Sequence, residues 1–91
     1  MKNNEIKKLK ELLNNEKTQE AKQFLELIPP ENSSEYWLFK GQIEQKFQNW
    51  SNALNAFKKV LEIAPNNREA KNNIGIIQDI LNFWNPEMFN P

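Results

Sequence analysis

The chain has 91 residues, room for one domain whose small core must be well ordered. Twelve basic and twelve acidic side chains cancel, so no net field recruits nucleic acid or an anionic membrane. The absence of cysteine and histidine excludes disulfides, thiolate nucleophiles, sulfur-ligated metals and the commonest acid–base group near neutral pH.

In chain order, Ile6, Leu9, Leu12 and Leu13 form one apolar stripe and predict a helix over residues 3–14. Asn15 is placed to cap a second helix over 16–28, whose buried face carries Ala21, Phe24, Leu25 and Ile28. Pro29-Pro30 ends it. Ser33 or Ser34 caps a third helix that runs to about Phe47. Gln48-Asn49 turns the chain into a fourth, from Trp50 or Ser51 to Ala64, with a wide apolar stripe. Asn67 caps a fifth, from Arg68 to Phe83, closed by Asn85-Pro86. The segment MKNNEIKKLK lacks an apolar signal core, and no apolar run approaches the ~18 residues of a membrane span, so the expected location is cytoplasmic. The scattered asparagines fall mainly at these caps and turns.

Two internal relationships go beyond helix spacing. Gly41 and Gly75 stand 34 residues apart, each inside an apolar helical pattern. Glycine there costs roughly 1 kcal/mol against alanine, so a close helix–helix contact is expected at each, with Ala53 facing Gly41. Ala21, Leu25 and Ile28 have the mutual spacing of Ala53, Phe57 and Val60, 32 residues on. Trp37, Gly41, Ala53, Phe57 and Pro65 together resemble the packing positions of one tetratricopeptide repeat, a helix–turn–helix unit of about 34 residues.

That resemblance implies an all-α solenoid of five antiparallel helices, with about two and a half repeats in a single domain over 1–84. Residues 3–33 would form a shortened first repeat, 34–67 the second, 68–84 a half repeat, and 85–91 an apolar cap. Three positions depart from the family pattern: Lys40 where leucine is usual, Glu44 where tyrosine is usual, and Lys71 in the slot of Trp37. For Lys40 and Glu44 the expectation is a packed stem with the charge reaching water.

The resemblance also implies a concave groove lined by the first helix of each repeat. On the third helix it would comprise Glu35, Leu38, Phe39, Gln42, Gln45 and Lys46, with Leu38 and Phe39 exposed. On the fifth it would comprise Glu69, Asn72, Asn73, Ile76, Asp79 and Ile80, with Ile76 exposed, and Lys7, Lys8 and Glu11 would serve the first helix. One family subgroup grips the C-terminal carboxylate of heat-shock chaperones. It needs lysine at Leu38 and asparagine at Gln42, and only its requirement at Asn73 is met, so that ligand is not expected.

The implied function is protein–protein interaction, with a peptide or protein segment held in the groove of a small adaptor. The alternative is a self-associating module that pairs through Ile77, Leu81, Trp84, Met88 and Phe89, so the expected state is a monomer or a weak homodimer. No cofactor, metal, nucleic-acid partner or catalytic set is expected. Trp37 and Trp50 read as core by their helical spacing, and the short lysine runs read as solvated helix faces.

Overall fold

The structure, a computed structural model, describes residues 1–84. Among them are five helices and no strand: α1 (Asn3–Asn14), α2 (Thr18–Glu26), α3 (Ser34–Lys46), α4 (Trp50–Ile63) and α5 (Arg68–Trp84). Each helix packs on its neighbour in sequence, most extensively α3 on α4, and α1 also touches α3. The radius of gyration is 13.5 Å.

Local chemistry sets the boundaries. Ser33 Oγ accepts the Tyr36 N–H at 3.2 Å and opens α3, and Asn67 Oδ1 accepts the Ala70 N–H at 2.9 Å and opens α5. The Lys2 N–H donates to Glu5 Oε1 at 2.9 Å before α1. Asn15 does not cap α2; it closes α1 instead. The following Glu16 takes a left-handed φ of 58°, and the Lys17 N–H donates back to the Leu12 carbonyl at 2.8 Å. The same turn recurs after α3, where Gln48 has φ 61° and the Asn49 N–H donates to the Glu44 carbonyl at 2.9 Å. Both turns satisfy the last carbonyls of their helices with a residue in left-handed conformation. This use of residues 15–17 delays α2 to Thr18, and Pro29-Pro30 ends it early, leaving 9 residues against 14 in α4.

The interior has two parts. Leu9, Leu12, Ala21, Leu25, Ile28, Tyr36, Phe39 and Ile43 join α1, α2 and α3. Ala53, Phe57, Val60, Ala70 and Ile77 join α4 and α5. Trp37 packs against both, only half-buried, and its indole N–H donates to the Glu31 carbonyl at 2.8 Å. Trp50 packs partly buried at the margin of the second part. Pro65 is exposed in the turn after α4.

Several expectations are corrected. The partner of Gly41 is the Phe57 ring rather than Ala53, which is itself fully buried nearby in sequence. Gly75 has no close contact: a Cβ there would meet nothing within 4 Å. Glu44 does not reach water. It is 5% exposed, accepts from Asn49 Nδ2 at 2.7 Å and lies 3.6 Å from Lys22 Nζ. A carboxylate is tolerated at this depth because a hydrogen-bond donor and a cation meet it. Ile77 is not exposed for self-association; it is wholly buried, and Leu81 packs beside it against the same core. The reason is helical phase. Ala70, Ile77 and Leu81 share the side of α5 that meets α4, which leaves Lys71, Asn72, Gln78 and Asp79 exposed elsewhere on the helix. Met88 and Phe89 lie outside the described residues.

Candidate functional site

The largest hollow lies where α1, α3 and α5 come together. One part, about 440 Å³, is lined by Ile6, Lys10, Leu13 and Asn14 from α1, by Glu35, Leu38, Phe39 and Gln42 from α3, and by Glu69 from α5. A second part, about 380 Å³, shares Leu13, Asn14, Gln42 and Glu69 and adds Gln45, Lys46 and Asn73. The shared walls make these one continuous groove. Its volume is in the range of ordinary ligand clefts.

Helical spacing builds each wall. On α3, Glu35, Leu38, Phe39, Gln42, Gln45 and Lys46 recur at three- and four-residue steps, so one side of one helix supplies them all. Gln42 Nε2 donates to Glu69 Oε1, tying α3 to α5 across the groove floor. At the opposite end, the Ser33 hydroxyl donates to Glu35 Oε2 at 3.1 Å. Glu35's own backbone N–H, then the Ser33 hydroxyl, hold its carboxyl below the usual carboxylate range. The groove is thus amphipathic. Ile6, Leu13 and Leu38 provide apolar surface, with Lys10 and Lys46 set against Glu35 and Glu69.

The structure therefore brings together Glu35, Leu38, Phe39, Gln42, Gln45, Lys46, Glu69 and Asn73 from the sequence-derived set. Phe39 differs from expectation in being 7% exposed: it closes the groove floor as a core residue of the α1–α3 interface instead of standing free. Asn72, Ile76 and Asp79 are exposed on α5 but line neither part of the groove, and Ile80 is half-buried outside it. Lys7, Lys8 and Glu11 are exposed and also stand outside.

The α1 residues that do line the groove are Ile6, Lys10, Leu13 and Asn14. They are Leu38, Gln42, Gln45 and Lys46 shifted back by 32 positions. The signal was in the sequence, in the 32-residue offset between the buried faces of α2 and α4. Extended to α1 and α3, it sets the register that a 34-residue unit misses.

Among the described residues, no group of three or more His, Cys, Asp or Glu side chains is placed to share a metal ion. No described helix is long and apolar enough to cross a membrane. No protein-family model matches the chain, and neither a curated protein nor a solved structure matches it significantly.

Proposed function

We propose that this chain is a small helical-repeat scaffold of the tetratricopeptide type whose α1–α3–α5 groove holds a peptide segment of a protein partner. The observation that carries the reading is the repeat written into the backbone. Glu16 and Gln48 take the same left-handed turn 32 residues apart. Behind those turns, Ala21, Leu25 and Ile28 are buried as Ala53, Phe57 and Val60 are. On the other side of the same helix pairs, Ile6, Lys10, Leu13 and Asn14 repeat the groove positions of α3. An arrangement that repeats both its core and its open side suits extended recognition surfaces. A groove on rigid helices also holds a peptide with little ordering penalty of its own. In this reading the cytoplasm is the place of work, and the partner supplies an apolar side chain to Ile6, Leu13 and Leu38.

The test is selection of binding peptides from a random display library, followed by titration against variants. Leu38→Glu and Gln42→Lys should weaken selected peptides at least about tenfold while the far-ultraviolet spectrum and melting temperature stay near the parent's. Lys58→Glu, on the exposed side of α4, should leave binding unchanged. Equal losses from all three substitutions would overturn the groove reading.

A further inference from the structure

On the side of α3 away from the groove lies a second hollow of about 410 Å³, lined by Trp37, Lys40, Asn52, Asn55, Ala56 and Lys59. Its lining holds two ammonium groups, two carboxamides, an indole and a methyl group, and no carboxylate. We propose that this hollow binds an oxyanion carried on an aromatic ring, with the ring against Trp37 and Ala56 and the anion between Lys40 and Lys59.

Three observations support the assignment. First, the cations are held rather than free. Lys59 Nζ stands 6.0 Å from the centroid of the Trp37 ring, and Trp37 is itself fixed by its hydrogen bond to Glu31. Second, Lys40 is half-buried, yet among the described residues it has no carboxylate within 4.0 Å. A partly desolvated cation without a counter-ion is stabilised by an arriving anion. Third, the donors converge. Asn52, Asn55 and Lys59 recur at three- and four-residue steps on α4, so they face Lys40 across one furrow. Carboxamide N–H groups and ammonium groups both donate to an oxyanion.

Nearby carboxylates leave the hollow cationic. Glu62 pairs with Lys59 at 3.3 Å but lies on the exposed surface outside the lining. Lys40 also borders a smaller recess that contains Glu26 and Glu44. Glu44 is already engaged by Lys22 and Asn49.

The experiment is a titration of the full chain, labelled with ¹⁵N, with phenyl phosphate, benzoate and inorganic phosphate at constant ionic strength. Saturable shifts of the Trp37 indole and of the Asn52 and Asn55 carboxamides are expected with phenyl phosphate or benzoate. Which of the two binds more tightly tells a phosphate site from a carboxylate site. Inorganic phosphate should bind at least about tenfold more weakly. The double variant Lys40→Gln/Lys59→Gln should lose the saturable shifts while keeping a folded spectrum. Should that variant unfold, Asn55→Asp places a repelling carboxylate at an exposed position and should abolish binding by itself. Shifts that fail to saturate, that map to the α1–α3–α5 groove, that persist in the variants or that inorganic phosphate reproduces at equal concentration would each overturn the proposal.

Discussion

A Cβ built on Gly41 would stand 2.7 Å from Cε1 of Phe57, inside the distance that real side chains tolerate. Phe57 is wholly buried and cannot swing aside without disturbing the α4–α5 core. Gly41→Ala gains about 1 kcal/mol of helix propensity but loses more through this overlap. Gly41→Val is expected to destabilise the fold by about 1–3 kcal/mol. Denaturant titration checks both, and Phe57→Leu in the Gly41→Ala background should recover part of the loss, since the two positions are coupled through contact.

Gly75 should behave oppositely. It lies inside α5, has no left-handed backbone and has open space where a side chain would go. Gly75→Ala is therefore expected to raise stability by about 0.5–1 kcal/mol, through helix propensity and a less free unfolded chain. For a domain of this size the melting temperature should rise by several degrees. A fall on substitution would show that this side of α5 carries a contact the described residues do not.

The two left-handed turn residues give a third expectation. Glu16 and Gln48 hold φ values of 58° and 61°, which side chains other than glycine adopt at an energetic penalty. Glycine relieves it at the position following a helix C-cap. Glu16→Gly and Gln48→Gly should each stabilise the fold by about 0.5–1 kcal/mol, and additively, because the turns are separate. The check is the midpoint of urea unfolding for the two single variants and the double.

Glu44 joins three elements at one buried carboxylate. It sits on α3, accepts from Asn49 in the α3–α4 turn and faces Lys22 of α2. Glu44→Ala strands the Asn49 carboxamide and removes the counter-charge of Lys22, for an expected loss of about 1–3 kcal/mol. Glu44→Gln keeps an acceptor for Asn49 and should lose less. Equal losses from the two would mean that the charge, not the hydrogen bond, is what matters.

Acid should weaken the N-terminal turn of α3. Glu35 has its carboxyl held below the usual range by its backbone N–H and the Ser33 hydroxyl. A depressed folded-state pKa contributes stability above the ordinary carboxylate value of 4.5, which is lost as the pH falls through the lower folded value. Glu35→Gln should flatten that limb of the stability profile while leaving neutral-pH melting little changed, because the group is largely solvated.

Helix order and the α3 and α5 caps were legible because they rest on local chemistry. Ser33 and Asn67 carry oxygens that bond two or three residues ahead, and proline stops helices wherever it falls. The turn at Asn15 was not legible, since asparagine suits either end of a helix and nothing local says that Glu16 will turn left-handed. Groove positions on α3 were readable from spacing within one helix. Those on α1 needed the correct offset between units, which the shortened α2 disguised. The depth of Phe39 and Ile77 depends on which neighbours cover them, and helical period alone does not distinguish two apolar stripes on one helix. Glu44 could be recognised as out of place but not as satisfied, because its cation comes from α2.

Contacts between neighbours in sequence also govern how the molecule forms and opens. Each principal interface joins helices that are adjacent in the chain, or separated by one. Few long loops must close before contacts form, which places the chain among rapid folders. The α3–α4 pair, with the most extensive interface, is the natural nucleus, and α1 and α5 join only after it exists. Thermal opening should run in reverse, so backbone amides in α3 and α4 should exchange with solvent last. The groove shares that order, since its α1 and α5 walls belong to the earliest parts to loosen while α3 endures.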